Sequence, residues 1–554
     1  MNETNQGTDP FWGTMHFLPQ KLIEQQMQAL KVSIQSVQAH QSYWASQLRY
    51  QADFFVPLIK AVQYFWEVEE ERILEKKPIQ NTQDFNNLFE FITNILHQAQ
   101  LSSTEAMMDY HLDSISQGFS VWLSALSKGD LQSFLDWVRQ RVEIINSVAH
   151  EYPQDILDIA DEYGFHFERG GYEKVDETDR FLLYKVLPTE KDAQVRDSGK
   201  PILIVHPYVL GADILAFLPG EKKSYVHCFA NQGIPTYVRI QKDIDTNPAV
   251  QNIRVEDDVQ DTKSFCQIIF QRHGRPLTLN GYCQGGLITM LNILTDELDG
   301  LVDTHITCVA PIDGTRSEGF SWFLGNLPDR FNALEFGTKV LPNGNKVADG
   351  DLMAWVYKIK SISDEAPTVN FYRDLAFWKD LMKKKVPVSK TALALNYWLN
   401  YQRHDLPLEI TKLSFISYNH PIAPDGTLPM QVGGRTLNIK YFQEKNIPWL
   451  ICYGENDTLV EKECALAPLD FIDAEVTPYP KGHVAMATSW SLPTSQCALH
   501  ECHGPDNSSR GPVRFHLDRE HEQDNAQKGK KASGSKTKKT KDPEGKEETP
   551  ITEG

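Results

Sequence analysis

Leu279-Asn-Gly-Tyr-Cys-Gln-Gly-Gly-Leu287 is the most informative stretch of this chain. It follows a short apolar run, Leu277-Thr-Leu-Asn280, and opens an apolar helical segment carrying Leu287, Ile288, Met290, Leu291, Ile293 and Leu294. The pattern is G-x-C-x-G: a nucleophile elbow with cysteine where serine is usual. The spacing has a mechanical cause. A nucleophile on a sharp strand-to-helix turn leaves no room for side chains two residues away, and Gly281 and Gly285 meet that need, with Gly286 beside them. The helix that follows aims free amides at the turn and favours negative charge there, both on a Cys283 thiolate and on a tetrahedral oxyanion.

A thiol nucleophile needs a base and a group to orient the base. In this architecture they follow it in the order acid, then histidine. Trp449-Leu-Ile-Cys-Tyr453 reads as a strand and runs into Gly454-Glu-Asn-Asp-Thr-Leu-Val460, placing Asp457 just past a strand end. Tyr479-Pro-Lys-Gly-His-Val-Ala485 then puts His483 on a glycine-adjacent loop. Glu455 and Asp313 are rival acids; His206 and His227 are rival histidines that precede the nucleophile. The oxyanion hole is expected to combine the amide of Gln284 with one from the loop after Pro201-Ile-Leu-Ile-Val205. Pro207 has no amide, so Tyr208 or Val209 is the candidate donor.

Working outward, Arg180–Leu187, Pro201–Val205, Thr236–Ile240, Leu277–Asn280, His305–Ala310 and Trp449–Tyr453 read as strands alternating with helical stretches such as Val255–Arg272. That alternation indicates an α/β fold with a mostly parallel sheet. The strand signal fades between about 315 and 440, where aromatics including Phe320, Trp355, Phe371, Tyr372, Trp378 and Trp398 mark a helical cap. Residues 1–165 read as helical. Two apolar rows recur there every seven residues: Ile23, Leu30, Val37, Trp44, Gln51, Leu58, Phe65, and Met27, Ile34, Gln41, Leu48, Phe55, Val62. They form a 3-4 seam suited either to a bundle packed on its own protein or to self-association. Pro57 is expected to kink or break the helix. The division is therefore a helical region 1–165, a catalytic region 166–503 with its cap, and a polar tail 504–554 expected to be disordered.

Composition bounds the alternatives. The 554 residues are 41% hydrophobic and 23% charged, as in ordinary globular proteins. No apolar run is long enough for a membrane span, and the first residues lack the basic-then-apolar pattern of a signal peptide. Eight cysteines without a CxxC pair fit a reducing, cytoplasmic setting. Lys+Arg 55 against Asp+Glu 74 gives a net charge of −19, which opposes non-specific nucleic-acid binding by the body. Lys528 to Lys541, with seven lysines and no acid, is the exception and could contact DNA or an anionic granule surface. No nucleotide-type glycine fingerprint is present. Cys497-Ala-Leu-His500-Glu-Cys502-His503 is too compact to close one tetrahedral site, so no metal is expected.

The chain resembles the polyhydroxyalkanoate synthases, within the α/β-hydrolase superfamily, over about 170–490. The likeness rests on Leu183-Tyr-Lys-Val-Leu-Pro188, Asp213-Ile-Leu215, the Gly281–Gly286 box, Phe377-Trp378, the Gly454–Asp457 box and Gly482-His483-Val-Ala485. It implies that Cys283 accepts the acyl group of a 3-hydroxyacyl-CoA as a thioester. His483 would deprotonate Cys283, and Asp457 would orient His483 or help activate the 3-hydroxyl. Polyester grows with release of CoA, and no cofactor is needed beyond the CoA of the substrate. It also implies a cytoplasmic enzyme on polyester granules; a homo-oligomer through the N-terminal helices is expected from the heptad seam alone. Two segments depart from the family pattern. Lys379-Asp-Leu-Met-Lys-Lys-Lys385 stands where a polar Asn/Asp-rich motif is usual, and Ser491–His500 stands where a Trp-rich segment is usual. Two alternatives follow: a depolymerase or thioesterase using the same triad with water as acceptor, and a non-catalytic granule scaffold.

Overall fold

The computed structural model describes residues 10–74, 82–209, 211–325, 329–334, 337–360, 362 and 366–536. Three helices lead: α1 (Pro10–Leu74), α2 (Thr82–Lys128) and α3 (Leu131–Asn146). Then come strands β1 (Tyr172–Glu177), β2 (Phe181–Val186), β3 (Ile202–Val205) and β4 (Thr236–Gln241). Helix α4 (Val255–His273) leads to β5 (Leu277–Tyr282), α5 (Gln284–Leu294) and β6 (Val302–Cys308). A long insertion follows, with α6 (Gly350–Lys360), α7 (Pro367–Lys384), α8 (Lys390–Tyr401) and α9 (Leu408–Asn419). Strands β7 (Trp449–Gly454) and β8 (Glu475–Tyr479) and helix α10 (Pro512–Lys536) complete the chain.

The strands make one 8-stranded sheet in the order β1-β2-β4-β3-β5-β6-β7-β8. Only β2 runs against its neighbours. Every pairing from β4 to β8 is parallel. This is the α/β-hydrolase fold. The central strands β3 and β5 are buried along their whole length; β3 reads as an unbroken apolar run, while β5 interleaves Leu277 and Leu279 with buried Thr278 and Asn280. The edge strands were not legible in the sequence. Four of the six residues of β1 are charged and exposed, and β8 carries Pro478, which an edge strand tolerates because one of its sides needs no amide donor.

Two expectations are corrected. Pro57 does not break α1, which runs unbroken from Pro10 to Leu74. The helix is clamped to the cap on both sides of the proline. Gln51 Nε2 donates to Thr368 Oγ1 at 2.7 Å and Phe54 packs on Trp355 before it; Tyr64 Oη donates to Asp349 Oδ2 at 2.8 Å after it. The tail is not structureless from 504 either. Helix α10 buries Val513 and Phe515, and its Glu520 accepts from the Lys200 amide at 3.1 Å and from Arg196 at 2.8 Å. Its buried His516 lies 3.0 Å from both Thr278 Oγ1 and the Lys200 carbonyl. A few well-partnered residues thus order a segment whose average composition is polar. The side chains of Lys528–Lys541 lie outside the described residues.

The heptad seam turns gradually around α1. Ile23, Met27, Leu30, Ile34, Val37, Trp44, Leu48, Phe55 and Val62 are exposed, while Phe65 is buried and Leu58 half-buried. A straight helix drifts by about 20° per heptad against a strict seven-residue repeat. Late in the helix the outward stripe therefore passes to Ile59 and Trp66. The opposite face, with Val32, Ala39, Tyr43 and Phe54, is buried. No helix among the described residues is long and apolar enough to cross a membrane.

One buried ion pair ties the sheet to its helices. Arg239 on β4 forms a two-pronged contact with Asp258 on α4, at 2.8 and 2.9 Å, with both side chains fully buried. Asn292 Nδ2 on α5 donates to the same carboxylate at 2.8 Å, and Arg239 stacks on the Phe181 ring at 4.2 Å. Breaking such a pair from one side leaves an unpaired buried charge. Asp258→Ala is expected to destabilise the protein by about 3–5 kcal/mol, read as a lowered urea midpoint; a midpoint unchanged from the native protein would contradict this.

Candidate active site

Cys283 lies between the end of β5 and the start of α5, with φ 51° and ψ −125°. A non-glycine residue holds such a conformation only where its surroundings enforce it. Here they do. A Cβ on Gly281 would fall 2.4 Å from the Gly285 carbonyl oxygen, one on Gly285 2.5 Å from the Val205 oxygen, and one on Gly286 2.5 Å from the Ala310 methyl. The Cys283 amide donates to the Cys308 carbonyl on β6 at 2.8 Å, and the Gly286 amide to the Cys283 carbonyl at 2.8 Å. The thiol remains half-exposed.

Asp457 lies in the turn after β7, and both carboxylate oxygens are engaged. Oδ1 accepts the Leu459 and Val460 amides, each at 2.9 Å. Oδ2 is 2.8 Å from His483 Nδ1. The second ring nitrogen of His483 is left for Cys283, whose sulfur is near enough to act on the imidazole's charge. Tyr282, the neighbour of Cys283, donates from Oη to the His483 carbonyl at 2.9 Å and fixes the histidine loop. Burial opposes a charge on the ring, but the Asp457 carboxylate and the Cys283 sulfur outweigh it and hold the His483 pKa well above the usual histidine range.

The rival groups are placed elsewhere. Asp313 caps its own turn through the Thr315 amide at 3.2 Å and faces Arg316; Glu455 is exposed. His206 pairs with the Pro207 carbonyl at 2.7 Å and the Gln241 amide at 3.2 Å, and burial lowers its pKa to about 4. His227 pairs with Ser224 Oγ at 2.7 Å, and burial lowers it likewise to about 4.

The loop after β3 lies directly across from the elbow. The amides of Tyr208 and Val209 both donate to the side-chain oxygen of Gln284, at 3.1 and 3.2 Å. The loop is held from below by Tyr208 Oη, which donates to Asp258. Gln284 opens α5, so its own amide has no carbonyl within the helix to bond. Its side-chain Nε2 donates to Ser414 Oγ on cap helix α9 at 2.8 Å. A cavity of about 30 Å³ lies here, room for about one water, walled by Phe320, Leu324, Met353, Val356 and Phe415 of the cap. Ser414 and the Asp258 network were not found by reading the sequence. Nothing in the order of residues marks a lone cap serine, and Asp258 reads as an ordinary acid in the first turn of a helix.

No protein-family model matches the chain, and no curated protein sequence does. Among solved structures, the thioesterase domain of the curacin biosynthetic pathway is 12% identical over 58% of this chain and 95% of its own, with a TM-score of 0.32. A Bacillus megaterium epoxide hydrolase is 12% identical over 57% and 94%, TM-score 0.31. An esterase from Rhodococcus sp. ECU1013 is 13% identical over 63% and 97%, TM-score 0.30. Likeness at this level carries nothing about substrate, and the fold rests on the strand order.

Removing the Asp457 charge while keeping its shape tests the ion pair. In Asp457→Asn the His483 pKa is expected to fall, because the carboxylate that favours the imidazolium is gone. Alkylation of Cys283 by iodoacetamide at pH 7 should slow by about tenfold, as expected on loss of about 1.4 kcal/mol of favourable interaction. A pH–rate profile identical to that of the native protein would contradict the pairing.

Proposed function

We propose that this protein is an acyltransferase of the polyhydroxyalkanoate-synthase kind, joining 3-hydroxyacyl units from CoA thioesters into polyester. The observation that carries the reading is a cysteine at the elbow, coupled to the His483–Asp457 pair, beneath a closed and largely apolar cap. The Cys283 sulfur attacks the thioester carbonyl carbon, and the carbonyl electron pair moves to oxygen. Backbone amides of Gln284, Tyr208 and Val209 hold that oxyanion. Collapse expels CoA thiolate, which takes the proton from His483. Neutral His483 then removes the proton of an incoming 3-hydroxyl, whose oxygen attacks the acyl-enzyme carbonyl; the ester forms as the carbon–sulfur bond breaks, and Cys283 sulfur leaves and recovers the proton from His483. Asp457 has both oxygens committed, which favours an orienting role over direct activation of the hydroxyl. No step calls for a metal or a cofactor beyond the substrate's CoA.

Thioester exchange onto a thiol is close to balanced in energy, so cysteine suits a transferase. An apolar cap that excludes water disfavours hydrolysis of the intermediate. Accumulating polyester is insoluble, and a chain growing from Cys283 would keep the enzyme at the granule surface.

The seam on α1 supports a second copy of this chain as partner. The exposed stripe from Ile23 to Trp66 is about 65 Å long at 1.5 Å per residue. A helix with that length and the same repeat is supplied by α1 of another copy. Val37→Glu with Leu48→Lys should halve the molar mass in light scattering; an unchanged mass would refute this interface.

Incubation with (R)-3-hydroxybutyryl-CoA tests the activity directly. Release of CoA together with oligomeric or polymeric ester, lost in Cys283→Ala, is the expected outcome. Release with free 3-hydroxybutyrate alone would move the assignment to a thioesterase or depolymerase. No turnover of this or other 3-hydroxyacyl-CoA thioesters would sink the proposal.

A further inference from the structure

We propose that Gln284 plugs the oxyanion hole of its own active site, and that Ser414 on the cap is the positioning residue that holds the plug. The inference rests on the acyl-thioester reading of Cys283. Three observations meet at one side chain. The Gln284 carboxamide oxygen takes both loop amides, Tyr208 at 3.1 Å and Val209 at 3.2 Å, as a substrate carbonyl oxygen would. Its nitrogen donates to Ser414 Oγ at 2.8 Å, on α9 of the cap. The residue is buried, and the adjoining cavity, among the described residues, is about 30 Å³, space for about one water.

The donors that stabilise the transition state and the space that receives the acyl chain are therefore closed by the same contact. Both open together if α9 withdraws. The exchange is chemically even at the amides: as the Gln284 oxygen leaves, the substrate oxygen replaces it, and two hydrogen bonds are lost and two formed. What remains to be broken is the bond to Ser414. Its hydroxyl belongs to the cap, so the hole becomes available when the cap responds to substrate. A nucleophile with a permanently open hole would offer its amides to water or to any small ester. The latch makes oxyanion stabilisation conditional on a ligand large enough to move the cap.

The test compares two reactions of the same thiol. Acylation of Cys283 by p-nitrophenyl acetate, followed as burst kinetics, passes through an oxyanion. Alkylation by iodoacetamide forms none and reports only thiolate content and access. In Ser414→Ala the ratio of acylation to alkylation rates should rise about fivefold, the effect of one neutral hydrogen bond. Ser414→Thr, which keeps a hydroxyl acceptor, should restore the native ratio. Gln284→Ala, which removes the plug and leaves the backbone donors, should raise the ratio at least as far as Ser414→Ala. A ratio unchanged or lowered in Ser414→Ala would overturn the latch, as would absence of acylation from native and variant proteins alike. A raised ratio in a protein that releases no polyester from (R)-3-hydroxybutyryl-CoA would remove the polymerase reading and leave the latch standing.

Discussion

A cysteine held at positive φ is the constraint from which the rest of this site follows. The strained turn at Cys283 exists because three glycines let β5, α5 and their neighbours approach to distances that a single methyl group would prevent. Strain of this kind costs about 1–3 kcal/mol and persists only where surrounding contacts overdetermine it. Those contacts are the fully buried central strands, with the Cys283 amide fixed to β6 by one hydrogen bond. The reward is a thiol lifted out of the sheet, at a helix N-terminus, where a loop from β3 and a histidine from the far side of the sheet can both reach it.

Around that turn the polar groups form a continuous frame. Arg239 pairs with Asp258, Asp258 accepts from Tyr208, Tyr208 and Val209 donate to Gln284, and Gln284 donates to Ser414 on the cap. A second frame runs from the Leu459 and Val460 amides through Asp457 to His483 and on to Cys283. The first reaches from the sheet interior to the cap; the second charges the base. Cap position and nucleophile chemistry are thus joined at two adjacent residues, Cys283 and Gln284. Helix α1, in turn, grips the cap through Tyr50, Gln51 and Tyr64.

The sequence carried the centre of this arrangement well and its periphery poorly. Continuous apolar runs with β-branched residues marked the buried strands, and glycine spacing marked the elbow, because both reflect steric demands that act locally. The polar strand β1 and the proline-containing β8 escaped notice, since an edge strand answers to one neighbour only and needs no apolar pattern. Pro57 does not interrupt α1, which contacts the cap on both sides of it through Gln51, Phe54 and Tyr64. The helix over 512–536 was hidden by composition: His516 and Glu520 are polar residues that earn burial through named partners. Gln284 was expected to contribute its amide, but its side chain's competing role depends on a serine more than a hundred residues away, which no spacing rule reveals.

The covalent acyl-enzyme is the point on which the reading turns. The decisive measurement is intact-mass and peptide mass spectrometry of the native protein quenched in acid after mixing with (R)-3-hydroxybutyryl-CoA. The expected result is a mass gain of one or more hydroxybutyryl units, on the peptide containing Cys283, removed by hydroxylamine. CoA release with Cys283 unmodified at every quench time, or a label carried by another residue, would contradict it.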